Sequence, residues 1–307
     1  MSKPTIELLI CTYNNAALLD RALECLSRQT APPDRWSVLV IDNNCTDETA
    51  SVVERHRSEG RIPGLRRTVE TQQGLTAARL CGVRSTESPW LAFIDDDCFL
   101  DEHWVESALA FASEHPGCGA FGGRNVLNWE APPSALLSKY ASVYAEQDHG
   151  PRAKLLEDRA LLAGAGMVIR RDALYRSGWL EAQYLGDRQG KRLTSGGDEE
   201  IVMRLRKAGF ALGYAPDCLL HHYIPQRRIS EAYLIELFYE FGVARSQLTR
   251  MVAHDSLVMG WIAYWSRVVK WVGLSLTGRV KAAVGMISPN ESLAYHSFLR
   301  GLLATRS

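Results

Sequence analysis

The sequence predicts an α/β fold, in which a mostly parallel sheet is flanked by helices and followed by a helical extension. Two observations lead to this prediction. The first hundred residues alternate short apolar runs with segments of helical periodicity. Continuous apolar strands separated by helices are typical of a parallel sheet that is covered on both faces. After about residue 230 the sequence becomes helical and aromatic.

Four strands are predicted in the first hundred residues, and helical spacing of apolar residues predicts a helix in each interval between them. The strands are expected at residues 6–11, 36–41, 66–70 and 90–94. The helices are expected at residues 18–26, around residues 50–53, and at residues 75–84.

The middle of the chain is less regular. Residues 161–170 read as a further strand, and residues 186–197, which hold four glycines, read as a mobile loop. Apolar positions from Ile201 to Ala208 predict an amphipathic helix that ends at Gly209, and residues 215–220 resemble a strand.

The C-terminal part contains an apolar stretch at residues 257–276 that includes Arg267 and Lys270. Central charges are costly in a membrane-spanning helix, so a span is disfavoured. Three alternatives stay open: an interfacial helix, an oligomer-forming helix, or a helical appendage packed on the main domain.

Composition excludes several classes of protein. The chain has 307 residues, of which 46% are apolar, and its 35 basic and 35 acidic residues give a net charge of zero. A field that attracts nucleic acid is therefore not expected. The seven cysteines form no CxxC pair, and the first residues lack the features of a signal peptide. We expect reduced thiols in a cytoplasmic protein.

Polar residues follow three of the predicted strands, at the point where each strand ends. These clusters are residues 12–14, 42–44 and 95–97. Ligands of open α/β sheets bind beyond the carboxyl ends of the strands. We therefore expect the three clusters to share one crevice.

The cluster Asp95, Asp96 and Asp97 has two interpretations. Adjacent carboxylates repel one another unless a cation or hydrogen-bond donors compensate, and Mg²⁺ or Mn²⁺ prefers such oxygen ligands. The alternative is a solvated acidic turn, or a helix start toward His103 and Trp104. The position after a buried strand favours the metal site.

Asp42 likewise has two interpretations. An Asp at this topological point commonly accepts hydrogen bonds from a nucleoside. The alternative is an Asx-turn or a helix cap, and the same alternative applies to Thr12 and Asn14.

Further candidates lie between residues 196 and 228. Asp198 follows two glycines and is a candidate general base, although three acids that open a helix also complement its dipole. At most one of His221 and His222 can enter a site, because adjacent side chains on a strand point to opposite faces. An Arg at position 227 or 228 could clamp a phosphate.

Five motifs together resemble the family 2 glycosyltransferases, which have the GT-A fold, with a Rossmann-like sheet, and use nucleotide-sugar donors. The motifs are Ile-Cys-Thr-Tyr-Asn-Asn (10–15), Val-Ile-Asp-Asn-Asn-Cys-Thr-Asp-Glu-Thr (40–49), Gly-Leu-Thr-Ala-Ala-Arg (74–79), Phe-Ile-Asp-Asp-Asp (93–97) and Gly-Gly-Asp-Glu-Glu-Ile-Val-Met-Arg-Leu-Arg-Lys-Ala-Gly-Phe (196–210). Each is weak alone, but five in this order are specific. The resemblance covers roughly residues 4–245.

The resemblance implies a role for each candidate. The donor's nucleoside and diphosphate would be bound by Thr12, Asn14, Asp42, Arg79, Asp95, Asp96 and Arg228. Asp97 and His222 would hold Mn²⁺ or Mg²⁺, with Asp95 and Asp97 forming the family's DxD pair. Asp198 would be the catalytic base. One departure is Gly197, which stands where the family usually has a Glu.

The resemblance also implies a domain plan and an activity. Residues 1–228 would form the catalytic domain, with a nucleotide-binding half at about 1–100 and an acceptor-binding half at about 101–228. Residues 229–307 would form a helical region that is membrane-peripheral or oligomer-forming.

The expected activity is inverting, metal-assisted transfer of a sugar from a UDP-sugar to a glycan or lipid-linked saccharide, as in polysaccharide biosynthesis. The enzyme would act in the cytoplasm or at the inner face of the membrane. This activity requires Asp42, Asp95, Asp97 and Asp198 to converge on one cation-bearing pocket. A sugar-phosphate nucleotidyltransferase and a non-catalytic nucleotide-binding subunit are the alternatives.

Overall fold

The computed structural model describes residues 5–157, 160–185, 196–255 and 257–304. The chain divides into two compact units. The first comprises Met1–Asn128, Tyr144–Ala182 and Ile201–Tyr223, and the second comprises Trp129–Val143, Gln183–Glu200 and Ile224–Ser307. A loop was predicted at residues 186–197. Residues 186–195 of this loop lie outside the described residues. The domain boundary expected near residue 228 stays a prediction.

The strands of the described residues form one sheet of nine strands. In chain order they are β1 (Ile6–Thr12), β2 (Trp36–Asp42), β3 (Arg66–Val69), β4 (Trp90–Asp95), β5 (Cys98–Leu100), β6 (Cys118–Trp129), β7 (Lys154–Leu155), β8 (Met167–Arg170) and β9 (Ala211–Ile224).

The α-helices follow the strands in the first part of the chain and dominate the last part. They are α1 (Ala16–Leu26), α2 (Thr49–Glu59), α3 (Leu75–Arg84), α4 (Trp104–Glu114), α5 (Ala135–Lys139), α6 (Arg171–Arg176), α7 (Gly197–Lys207), α8 (Glu231–Asp255), α9 (Leu257–Ala283) and α10 (Pro289–Leu303).

The sheet is mixed and confirms the predicted α/β class. Its strand order is β3-β2-β1-β4-β8-β6-β9-β5, with β7 paired to β9. The first four strands in this order are parallel, as the sequence predicts. Beyond β4 the sheet continues with β8, which is antiparallel to both β4 and β6. The parallel half therefore holds the three polar strand ends.

Two features of the middle section differ from the sequence prediction. The strand expected at residues 161–170 is confined to β8, because Gly166 has a φ of +78° that extended backbone does not adopt. The long strand β6 was not predicted, since glycines interrupt its apolar pattern. One of them, Gly123, permits a close approach to β9, because a Cβ there would lie 1.9 Å from the carbonyl oxygen of Cys218.

The core of the first unit has two parts, one on each face of the sheet. Leu8 and Ile10 of β1 belong to one buried cluster, and Leu9 between them belongs to the other. Residues of β2 divide in the same way, with Val40 in the first cluster and Ile41 in the second. This alternation follows from the two-residue period of a strand, and it explains why these strands carry apolar side chains toward both faces.

The second unit is built around α8, α9 and α10. Gly242 of α8 and Gly301 of α10 allow these two helices to pack closely, because a Cβ on Gly242 would lie 2.2 Å from the carbonyl oxygen of Phe298. At Gly301 a Cβ would lie 2.0 Å from the carbonyl oxygen of Tyr239. Within the described ranges, no helix combines the length and the apolar character needed to cross a membrane.

Candidate functional site

The polar ends of β1, β2 and β4 are neighbours in the sheet. Thr12 at the end of β1 is the register partner of Asp42 at the end of β2. On its other side, β1 pairs with β4, where Cys11 is the partner of Asp95. The structure thus brings the three predicted polar clusters, at residues 12–14, 42–44 and 95–97, to the same edge of the sheet in the first unit.

Asp96 binds the loop that follows β1. Its two carboxylate oxygens accept hydrogen bonds from Thr12 Oγ1 and Asn15 Nδ2, each at 2.7 Å. Burial raises the pKa of Asp96 to about 7, the charge of Asp97 adds to this effect, and the two hydrogen bonds oppose it. Both oxygens of this predicted donor-binding residue are therefore engaged within the protein, and the role of Asn15 was not predicted.

Asp97 and His222 form a pair at the start of β5 and the end of β9. His222 Nε2 lies 3.4 Å from Asp97 Oδ1, and its Nδ1 lies 2.8 Å from the carbonyl oxygen of Tyr144. A carbonyl can only accept a hydrogen bond, so Nδ1 donates to Tyr144, and Nε2 is the ring nitrogen that faces Asp97. A carbonyl that holds the distal nitrogen in this way is the usual support of a metal-binding histidine.

These atoms fit a hard divalent cation. Ligand atoms of Asp97, Cys98 and His222 all lie within 4.8 Å of one another. Burial raises the pKa of the Cys98 thiol well above its usual value, and the Asp97 charge acts in the same direction. Because the thiol stays protonated, the carboxylate oxygen and the imidazole nitrogen are the better ligands, a donor set that suits Mn²⁺.

The structure also separates the two adjacent histidines. His222 is buried and pairs with Cys98 across the β5–β9 ladder, whereas His221 pairs with Phe99 and is more exposed. Strand alternation predicted that only one of them could reach a site, and the fold places His222 beside Asp97.

Arg79 is a buried cation beside the acidic cluster. Its side chain is only 2% exposed, and Nη2 lies 3.9 Å from Asp95 Oδ1. The guanidinium also lies 5.0 Å from the ring centroid of Phe93. α3 therefore brings a positive charge to the end of β4, where it offsets part of the repulsion among the carboxylates.

Asp42 is held by neighbouring groups. Oδ2 accepts a hydrogen bond from Arg67 at 2.6 Å, and Oδ1 accepts one from the backbone N–H of Cys45 at 2.8 Å. The second contact is local, but it reaches the backbone three residues on, so it is neither the Asx-turn nor the helix cap that the sequence left as alternatives. Asn14 has a φ of +50° and accepts a hydrogen bond from the backbone N–H of Thr46 at 2.7 Å, which joins the loops after β1 and β2.

Asn43 orders the segment that leads into α3, and the sequence did not reveal this role. Its Nδ2 donates to the carbonyl oxygens of Glu70 and Gln72, at 2.9 and 2.7 Å. Its Oδ1 accepts from the backbone N–H of Gly74 at 2.8 Å. A buried Asn thus fixes the start of the helix that carries Arg79.

Asp198 lies in the first turn of α7, in the part of that helix that belongs to the second unit. Its two acidic neighbours have specific partners. Glu199 forms an ion pair with Arg245 of α8, and the buried carboxylate of Glu200 accepts the backbone N–H groups of Tyr184 and Leu185 at 2.8–3.0 Å. Complementation of the helix dipole is therefore not their only role.

Arg228 also belongs to the second unit, where it ends the short 3₁₀ turn Gln226–Arg228. Its Nε donates to the hydroxyl of Tyr233 at 3.1 Å, and the guanidinium lies 5.8 Å from the centroid of that ring. The remaining predicted site residues belong to the first unit.

Sequence comparison gives a family match. The model described as "Glycosyl transferase family 2" matches residues 7–181, which is more than half of the chain. The chain is similar to glycosyltransferase AglE of Haloferax volcanii, with 26% identity over 246 residues that cover 80% of this chain and 73% of AglE. It is 36% identical over 107 residues to validoxylamine A glucosyltransferase of Streptomyces hygroscopicus subsp. limoneus, covering 35% of this chain and 23% of that relative.

Solved structures share the fold. The mannosyltransferase PcManGT of Pyrobaculum calidifontis, in complex with GDP-Man and Mn²⁺, matches with a TM-score of 0.61 and 17% identity over 98% of this chain and 86% of its own. S. aureus TarS 1–349 in complex with UDP-GlcNAc matches with a TM-score of 0.56 and 15% identity over 97% and 90% of the two chains. The chain spans only 44% of a longer TarS structure. At these identities the likeness establishes the fold.

Proposed function

The chain belongs to glycosyl transferase family 2 and is a glycosyltransferase, and from this premise we propose that it transfers sugar with inversion. The sugar moves from a nucleotide-diphosphate sugar to an acceptor hydroxyl in one metal-assisted displacement. We assign the catalytic domain to residues 1–228, with donor binding in about 1–100 and acceptor binding in about 101–228, and the helical region to residues 229–307.

The observation that carries the proposal is the pair of Asp97 and His222. An imidazole nitrogen lies 3.4 Å from a carboxylate oxygen, at the strand edge where α/β folds bind ligands. Asp97 and His222 would hold a divalent cation, and its charge would stabilise the negative charge that grows on the departing nucleoside diphosphate. The Tyr144 carbonyl fixes the imidazole in the orientation and tautomer that this role needs.

Donor binding is assigned to the strand ends around this pair. Thr12 and Asp42 contact the nucleobase, with Asn14 nearby, and Asp95 lies toward the ribose. Asp96 supports this set by holding Thr12 and Asn15.

The diphosphate needs positive charge, which two arginines supply in this proposal. Arg79 lies next to Asp95 and is buried, so its charge acts in a medium of low dielectric constant. Arg228 provides a further phosphate contact.

Asp198 is proposed as the general base. It takes the proton of the acceptor hydroxyl as that oxygen attacks the anomeric carbon of the sugar. A base in this role contributes about 10²–10⁴-fold to the rate. The Arg245–Glu199 ion pair and the backbone contacts of Glu200 hold the first turn of α7, and so they limit the movement of Asp198.

We further propose UDP-sugars as donors and a glycan or lipid-linked saccharide as the acceptor, as in polysaccharide biosynthesis. The related structures support a nucleotide-sugar donor, since TarS was solved with UDP-GlcNAc and PcManGT with GDP-Man and Mn²⁺. A cytoplasmic enzyme that works at the inner face of the membrane, alone or as a homo-oligomer, suits such acceptors.

The test is a panel of UDP-, GDP- and dTDP-sugars with Mn²⁺, in which the released nucleotide is identified. The proposal predicts release of a nucleoside diphosphate. Release of pyrophosphate from a nucleoside triphosphate and a sugar phosphate would instead identify a nucleotidyltransferase. Tight nucleotide binding without turnover of any donor would identify a non-catalytic subunit.

A further inference from the structure

We propose that one exposed face of α9 docks on a lipid surface that carries anionic headgroups. The α9 face is defined by six apolar side chains spaced three or four residues apart, and it consists of Ile262, Trp265, Val269, Val272, Leu276 and Val280. This spacing places all six along one side of a helix. The inference does not depend on the proposed nucleotide-sugar chemistry.

The six side chains of the α9 face are exposed to solvent. The least exposed is Val272 at 38%, and the most exposed is Val269 at 68%. At 1.5 Å per residue, the row from Ile262 to Val280 is about 27 Å long. An exposed apolar row of this length is unusual on a monomeric soluble protein and marks a surface that binds something.

The opposite side of α9 is packed within the second unit. Val268 and Ser275 are buried, and the ring of Trp271 stacks on Phe298 of α10 with 3.8 Å between centroids. A Cβ on Gly278 would lie 2.9 Å from the ring of Tyr295. The helix is therefore anchored by one side and presents the other side outward.

The charges of α9 indicate what covers the exposed face. Residues 257–283 contain Arg267, Lys270, Arg279 and Lys281 and no Asp or Glu. At 3.6 residues per turn, Arg279 lies about 20° beyond one edge of the apolar row, and Lys270 and Lys281 lie about 80–100° beyond the other edge. These three side chains are exposed.

This pattern favours an anionic lipid surface over a second copy of the chain. Two α9 faces brought together would place cations against cations, with no carboxylate on either helix to compensate them. Lipid headgroups with negative charge complement the same cations, at about 1 kcal/mol for each Lys or Arg near the surface.

The aromatic residues of α9 agree with an interfacial position. Trp261 is 65% exposed and Trp265 is 44% exposed. Indole rings favour the boundary between headgroups and acyl chains, because they join an apolar body to a polar N–H group. An apolar face edged with Lys and Arg and bearing Trp is the composition of helices that lie in the plane of a membrane surface.

The experiment is co-sedimentation of the full chain with two kinds of vesicle. One is made of phosphatidylcholine, and the other is a mixture of phosphatidylcholine and phosphatidylglycerol. We expect about tenfold or stronger binding to the mixed vesicles, and weaker binding as salt is added, because salt screens the cations.

Two triple variants separate the apolar and the ionic contributions. The triple Ser variant combines Val269→Ser, Leu276→Ser and Val280→Ser. It should bind the mixed vesicles about tenfold or more weakly than the unmodified chain. Lys270→Gln with Arg279→Gln and Lys281→Gln should remove the preference for phosphatidylglycerol. Leu155→Ser, which changes an exposed leucine of the first unit, should bind as the unmodified chain does.

The proposal is overturned if the chain does not sediment with the mixed vesicles, or if folded variants of the α9 face bind as well as the unmodified chain. Circular dichroism establishes that each variant is folded. Measurement of the molar mass by light scattering can also overturn the proposal. If the unmodified chain is a dimer and the triple Ser variant is a monomer, the α9 face binds a second copy of the chain. The vesicle experiment uses no sugar donor. A failure to bind vesicles would therefore not count against the proposed transfer reaction, which has its own test.

Discussion

His222 Nε2 lies 3.4 Å from Asp97 Oδ1, while the other ring nitrogen of His222 is 2.8 Å from the carbonyl oxygen of Tyr144. The two residues are 125 positions apart in the chain, and pairing of β5 with β9 brings them together. Because Nδ1 is engaged by the carbonyl, Nε2 is the nitrogen that faces the carboxylate of Asp97. This relationship places an oxygen and a nitrogen, both of kinds that bind divalent cations, side by side at the edge of the sheet.

The first prediction concerns metal affinity. Asp97→Asn and His222→Asn should each weaken Mn²⁺ binding by about 10–100-fold, because each removes one of two ligands. Titration of Mn²⁺ in the presence of UDP, followed by electron paramagnetic resonance, measures the effect. His221→Asn is the matched control and should bind Mn²⁺ normally. Equal losses at positions 221 and 222 would rule out this ligand set.

The second prediction concerns the base. Asp198→Asn should lower kcat by about 10²–10⁴-fold and leave donor affinity unchanged, since the base acts on the acceptor. Steady-state transfer assays and calorimetric titration of the donor nucleotide measure the two quantities. Asp217→Asn, which changes an exposed carboxylate on β9, should have full activity. Unaltered turnover in Asp198→Asn would remove this residue from the chemistry.

The third prediction concerns the ion pair beside Asp198. Burial raises the pKa of Glu199, and Arg245 opposes this shift. Arg245→Ala should therefore destabilise the protein by about 2 kcal/mol, because it leaves a carboxylate that is mostly buried without its cation. Adding Glu199→Gln should recover part of this loss. Thermal denaturation of the two single variants and the double variant measures the coupling, and purely additive losses would contradict it.

The fourth prediction concerns pH and α10. Burial acts to raise the pKa of Glu291, but hydrogen bonds from Lys139, Tyr295 and Tyr140 outweigh it and hold this pKa below its usual value of 4.5. A lowered pKa stabilises the folded state above pH 4.5, and this contribution is lost as the pH falls through the folded-state value.

Glu291→Gln should therefore cost about 1–3 kcal/mol at neutral pH and progressively less in acid. Melting temperatures of the variant and the unmodified chain, measured from neutral pH down to acid, test this expectation. A difference that is the same at both ends of the range would show that the carboxylate charge is not what stabilises α10.

The sequence predicted the parallel part of the fold because local signals coincide there. β1, β2 and β4 are continuous apolar runs that end at polar residues, so both the strand and its carboxyl end are visible. β6 carries no such signal. Its Gly123 allows close contact with the neighbouring strand β9, and only the folded sheet reveals that need.

The site was predictable as a set of residue types, but its internal contacts were not. Asp96 was expected to bind the donor, whereas its oxygens accept from Thr12 and Asn15, which lie 84 and 81 positions away. Asn43 looked like one more residue of a polar turn, although its side chain fixes the start of α3. Such roles depend on partners that are distant in sequence, and no periodicity encodes them.

The central claim is that a cation at Asp97 and His222 and a base at Asp198 support a single displacement. The anomeric configuration of the product, followed by proton NMR during transfer with Mn²⁺, tests this claim most directly. From a donor whose sugar is α-linked to the diphosphate, the account predicts a β-linked product. An α-linked product would require a different order of bond making and breaking, and it would contradict the account.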